Sequence, residues 1–198
     1  MADVEGAKPV SVDRPDDSTG GLLTDRLVSW LLGAYLLFGY VLLVFWAGRD
    51  DWFSYGDWHL LAGPVTQDIW TPVEQHWSTL PALLYRGYFR VFGLEYFPFL
   101  ATGVALHIGV VVLVWRVMVR ARLRPWAAGL AAAPLVLFGP GYISLLFPVQ
   151  IGQNLSLVFG LGQLRLADHD GKIGRRDWVG LGVGAAGLMS SGIMPLLV

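Results

Sequence analysis

Cysteine is absent from this 198-residue chain. Disulfides, thiolate metal sites and a cysteine nucleophile are therefore excluded. Charge is scarce as well, with only 15% of residues being Asp, Glu, Lys or Arg. A soluble domain with so little charge struggles to cover its surface. The formal net charge of −1 lacks the basic footprint of a nucleic-acid partner. What the chain has instead is apolar residues, 55% of the total at a mean hydropathy of +0.54, gathered into long runs. These features predict an all-α integral membrane protein.

A hydrocarbon core about 30 Å thick needs about 20 apolar residues in helix. Runs at about 27–47, 97–119, 126–138, 143–166 and 178–198 are read as spans of a polytopic transmembrane helix bundle. The third is short and stops at Gly139-Pro140-Gly141; the fourth is interrupted by Pro148, Gln150, Gln153 and Asn154. Residues 1–26 are polar and acidic and read as a disordered cytoplasmic tail. Leu27–Ala47 runs straight into GRDDW, with no small-residue cleavage site, and so reads as an uncleaved anchor. Lys8, Arg14, Arg26, the cluster Arg116, Arg120, Arg122 and Arg124, and the Lys172 loop fit on one side. Arg49, Arg86 and Arg90 are left on the other. The positive-inside rule then predicts a multi-pass cell-membrane protein with a cytoplasmic N-terminus and an outward loop at 48–96. The chain ends in GIMPLLV with no polar residue after it, and a fragment of a longer polytopic protein is expected.

That outward loop is the richest segment. Between Asp50 and Trp77 it carries Asp50, Asp51, Asp57, Asp68 and Glu74, with His59 and His76, and no lysine or arginine. Acidic groups beside a membrane bind cations, or donor phosphates through a metal, or accept protons in catalysis. The plain alternative is a solvated loop whose tryptophans sit at headgroup level. Ser78 and Thr79 are positioned to cap a helix beginning near Leu80, with Pro81 in its first turn. Leu80, Leu83, Leu84, Tyr88 and Val91 then share one face, and Arg86 and Arg90 another. A short amphipathic helix over Leu80–Phe92, lying along the outer membrane surface, is the expectation. Its arginines either snorkel to headgroups or bind a lipid-linked phosphate. Glu74 and His76 precede it, where they would orient an acceptor or hold a divalent metal; no spacing here names one.

Inside the runs, His107 lies mid-span, where a satisfied interhelical hydrogen bond is favoured over catalysis. Gln150 and Gln153 are expected to line a polar cavity open to the outside. Ser190 and Ser191 are read as helix-packing residues.

Several short motifs follow one another in order. Asp50–Asp51 comes after the first run, then Pro72, Glu74, His76 and Pro81. Leu84, Arg86 and Phe92-Gly93-Leu94 lead to Tyr96 and Pro98, followed by Leu106–His107, the basic turn, and Phe147 to Gly152. In this order the chain resembles bacterial, especially actinobacterial, polytopic proteins related to the GT-C glycosyltransferases, which use polyprenyl-phosphate sugars. The likeness covers most of 27–198. It implies a catalytic acidic residue in the first outer loop near the end of the first helix, a position matched here by Asp51 or Asp50. It also implies a polyprenyl-phosphate sugar donor as partner beside the membrane lipids, and further spans. The leading expectation is therefore a transferase moving a sugar from a lipid phosphate to an acceptor on the extracytoplasmic face. A transporter or channel subunit, with the acidic loop as a cation-attracting vestibule, is the alternative. An inactive, truncated membrane scaffold is the third.

Overall fold

The computed structural model describes residues 18–62, 70, 77–137, 141 and 145–192. Among these the chain is helical and forms no strand. α1 spans Ser18–Leu42 and widens into a π-turn at Leu43–Ala47; α2 spans Tyr55–Ala62, α3 Thr79–Phe92 and α4 Tyr96–Arg120. α5 covers Pro125–Val136, a 3₁₀ turn Pro148–Gln150, α6 Ile151–Ala167 and α7 Arg175–Leu188.

Two helical segments, Asp25–Ala47 and Tyr96–Arg120, are long and apolar enough to cross a membrane. Only 22% and 28% of their most apolar stretches are buried within the chain, so most of that surface faces outward. On α1 the outward face carries Leu27, Trp30, Leu31, Leu37 and Phe38, and Trp46 continues it on the π-turn. The other three expected spans are shorter helices. The run 143–166 is broken at Pro148, whose ring removes a backbone donor, and helix resumes only at Ile151. The run 178–198 is helical over Arg175–Leu188, where Asp177 caps the start by accepting from the Gly174 N–H at 2.7 Å. α1 begins at Ser18, nine residues before the expected start, so part of the presumed tail is helix.

The helices sort into two ends. Arg120 pairs with Asp168, which brings the α4–α5 turn beside the α6–α7 turn. The Arg176 side chain adds a bond to the Arg165 carbonyl at 2.5 Å. Gly129 of α5 lies against Val28 of α1, and Gly39 against Val136, so α1 and α5 run parallel with their starts at this basic end. The opposite end gathers the α1–α2 turn, α2, α3, the start of α4, the 3₁₀ turn and the end of α7.

One core lies beneath that second end, built from Leu43, Val44, Phe53, Tyr85, Phe99 and Ile151 with their neighbours. A second joins α1, α4 and α5 through Leu32, Leu36, Val111, Ala132 and Val136. His107 of α4 donates from Nε2 to the Leu135 carbonyl at 2.8 Å. That carbonyl lies in the last turn of α5, among the terminal carbonyls that a helix leaves without an intrahelical donor.

Candidate functional site

The site is built on the turn that closes α1. The helix ends in a π-turn, with the Gly48 N–H donating to the Leu43 carbonyl at 2.9 Å. Such one-turn widenings often mark functional positions. Gly48 is required by close approach: a Cβ there would stand 2.6 Å from Leu100 Cδ2. The chain then turns through Asp50 and Asp51.

These adjacent carboxylates have opposite environments. Asp50 is exposed and accepts from Arg49 Nε at 3.0 Å. Asp51 is half-buried, and its Oδ2 is cut off from solvent with no hydrogen-bond partner among the described residues. Burial, followed by the charge of Asp50, raises the Asp51 pKa above the usual carboxylate value. A carboxylate with an unmet acceptor and a raised pKa is suited to taking a proton.

Around Asp51 the walls are aromatic. Phe53 is buried and meets Tyr96 and Phe99 edge to face, at 5.2 and 5.1 Å between ring centres. Such T-shaped contacts suit the ring quadrupole. Trp52 stacks on Tyr96 at 6.1 Å and 27° while remaining 55% exposed. The Tyr96 hydroxyl donates to the Leu146 carbonyl at 3.0 Å, tying the start of α4 to the segment before the 3₁₀ turn.

A second carboxylate anchors the loop. Asp57 is fully buried. Its Oδ2 accepts from the Ser54 N–H at 2.7 Å and the Ser54 hydroxyl at 2.8 Å, and its Oδ1 from the Tyr85 hydroxyl at 2.5 Å. Burial and the neighbouring Asp57 push the Tyr85 phenol far above its ordinary pKa, so it stays a donor. Ser54 and Asp57 thus close the first turn of α2, and Tyr85 fastens α2 to α3. Asp57 was grouped in the sequence with the other acidic loop residues. The pattern Ser54-x-x-Asp57 ahead of Leu60–Leu61 is a helix-start signal and marks its structural role.

This anchor holds the inward face of α3. The buried residues are Thr79, Pro81, Ala82 and Tyr85, whereas Leu83 and Val91 of the apolar face are exposed. Tyr85 reaching Asp57 fixes which side turns inward. Ser78 stands at the N-cap without a side-chain capping bond, and Thr79 Oγ1 accepts from Trp77 Nε1 at 2.7 Å. The second amide of the helix is used elsewhere, since the Leu80 N–H donates to the Met189 carbonyl at 3.1 Å.

Beside α2 lies a cavity of about 140 Å³. Gln150 and Gln153 both line it, with Gly56, Ser78, Ser190 and Ser191. The two serines, read as packing residues, are buried just past the end of α7 at Leu188, where they also line this cavity. Gly152 makes the close contact that brings α6, α7 and α3 together. A Cβ there would lie 2.8 Å from the Ser190 carbonyl and 3.0 Å from Pro81.

Compared with family models, curated proteins and solved structures, the chain matches none. The site is therefore read from its chemistry alone.

Of the residues singled out in the sequence, Asp51 sits within the electrostatic reach of Tyr96, which also feels Asp57. Gln150 and Gln153 come together at the cavity, whose wall at Gly56 adjoins Asp57 in the chain. Arg86 is half-buried and Arg90 exposed on α3. Glu74 and His76 lie outside the described residues. Among the described residues no three acidic or histidine side chains converge as a metal site.

Proposed function

We propose that this chain is a polytopic membrane transferase that moves a sugar from a lipid phosphate carrier to an acceptor on the extracytoplasmic face. The observation that carries the reading is the buried, unpartnered Oδ2 of Asp51 at the mouth of a membrane-length helix. A lipid phosphate presents its sugar just above the headgroups, at the level of this turn. Asp51 takes the proton of the acceptor hydroxyl. The acceptor oxygen bonds to the anomeric carbon as the bond from that carbon to the phosphate oxygen breaks, and the lipid phosphate leaves with the electron pair. Arg86 and Arg90 of α3 stabilise the departing phosphate, which arginine forks suit well.

The orientation of α3 along the membrane surface belongs to the same reading. Leu83 and Val91 are exposed on it, and contact with lipid would bury them. The basic end faces the cytoplasm by the positive-inside rule. With no native cysteine, labelling is clean: Ser54→Cys should react with an impermeant thiol reagent on intact cells and Ala121→Cys should not. The reverse pattern inverts the topology and removes the site from the outer face.

The chemical test is sugar transfer from a lipid-linked donor by the chain in proteoliposomes. Asp51→Asn is expected to lower turnover by about 10²–10⁴-fold, the usual contribution of a positioned base. Asp50→Asn, exposed and paired with Arg49, should stay within about threefold, well below that range. The base must be deprotonated, so activity is present above the raised pKa of Asp51 and falls as pH drops through it. Transfer unaffected by Asp51→Asn, or no transfer by the wild-type chain, overturns the proposal.

A further inference from the structure

We infer that the cavity between the first turn of α6 and the end of α7 binds one uncharged, polyhydroxylated ring, a sugar or cyclic polyol. The lining carries no charge and sets polar groups beside the apolar side chains of Leu60, Pro81 and Val149. Gln150 and Gln153 bring carboxamides, each both donor and acceptor, and Ser78, Ser190 and Ser191 bring hydroxyls. None of the described lining residues is charged. An anion would call for arginine or lysine, a divalent cation for carboxylates, and an acyl chain for apolar walls throughout.

The backbone adds acceptors. The end of α7 presents carbonyls, with the Ser190 carbonyl next to Gly152. A hydroxyl both donates and accepts, so a ring carrying several of them meets the carboxamides, the serine hydroxyls and these carbonyls. One polar group already waits at the site. Ser191 is 3% exposed, and its Oγ has no hydrogen-bond partner among the described residues. Buried hydroxyls are ordinarily satisfied, and a ligand hydroxyl would satisfy this one. The volume also selects. At about 140 Å³ the cavity is the size for a single small ring.

The inference deepens the transferase reading, on which it rests for the ring's role as a sugar substrate but not for the binding itself. The test is saturation-transfer NMR on the purified full chain in detergent. D-glucose, D-arabinose and myo-inositol serve as neutral probes, with D-glucuronate and D-glucosamine as charged ones. Saturable binding of at least one neutral probe is expected, with the charged probes about tenfold weaker or more, the equivalent of one lost hydrogen bond. Gln153→Leu, which keeps the volume and removes the amide, should weaken binding by about tenfold at unchanged helicity. Gln150→Leu repeats the measurement from the preceding turn, so misfolding of one variant leaves the other decisive.

Neutral probes that fail to saturate folded wild-type protein overturn the site. So do carboxamide variants that bind within about twofold of wild type, less than one hydrogen bond is worth. Binding that persists in wild type and Asp51→Asn while no sugar is transferred keeps the site and sinks the transferase. Sugar transfer that both carboxamide variants retain, without measurable ring binding, does the opposite.

Discussion

The two ends of the bundle carry charge in contrasting ways. At the basic end, Arg120 and Asp168 form an exposed ion pair, and burial is slight on both sides. At the loop end, Asp57 has no solvent contact, and Asp51 has one oxygen sealed away without a partner among the described residues. Exposed pairs cost little to make and contribute little, because water and salt screen them. Buried carboxylates are expensive unless every acceptor is met. Asp57 meets that condition with three donors, and Asp51 does not. The difference separates an anchored carboxylate from an unpartnered one within the same seven residues.

The sharpest way to test the contrast is to remove the anchor. Asp57→Ala strands the Tyr85 hydroxyl and both Ser54 donors, at about 1–3 kcal/mol for each buried group left unsatisfied. Tyr85→Phe removes one donor and should cost about 1–3 kcal/mol, nearer the upper figure because the acceptor is a carboxylate. Both are read by thermal unfolding in detergent. If the double variant is no less stable than Asp57→Ala alone, the coupling between the two groups is established. A loss from Tyr85→Phe below about 0.5 kcal/mol would mean that the hydroxyl is not buried against the carboxylate.

Glycines compare the two ends by space rather than charge. Gly152→Ala at the loop end forces a Cβ to within 2.8 Å of the Ser190 carbonyl. Overpacking of that kind costs about 1–3 kcal/mol. Gly182→Ala on α7 meets nothing within 4 Å. The helix should gain from it, by about 1 kcal/mol at most. Opposite signs for the two substitutions are the expected result, and the same sign for both would refute the close packing around Gly152.

How much of this was readable in the residue order follows the same divide. α4 was expected at 97–119 and is found at Tyr96–Arg120, because a continuous apolar run that stops at arginines needs no tertiary information. The partner of His107 was anticipated as interhelical, since a polar group in an apolar run must find an acceptor nearby. The loop end depended on contacts across the chain. Asp57 and Tyr85 are 28 residues apart, and no local pattern joins them. The leucine-rich face of α3 was read as lying on the membrane; the inward turn of Tyr85 was not anticipated, because counting apolar positions ignores a tyrosine with a buried acceptor to reach. Ser190 and Ser191 were assigned to a continuous helix, but α7 ends at Leu188 and its last carbonyls turn to α3 and α6.

The smallest expected effect lies at the basic end. The hydrogen bond from Arg120 holds the Asp168 carboxyl below its usual pKa, with the Arg120 and Arg176 charges acting in the same direction. A carboxyl whose folded pKa is depressed adds stability above its unfolded value. That stability is lost as pH falls through the folded value. Both side chains are exposed, so solvent screening reduces the contribution to the low end for surface pairs. Arg120→Ala and Asp168→Ala should each shift thermal unfolding slightly at low salt. At about 0.5 M salt, where the screening length is only a few ångströms, the coupling term in the double-mutant cycle should shrink toward zero. The same cycle on Asp57 and Tyr85 should keep its value, because no ions reach a buried hydrogen bond. If the Arg120–Asp168 coupling instead survives salt undiminished, the pair is shielded from solvent and the two ends do not differ as described.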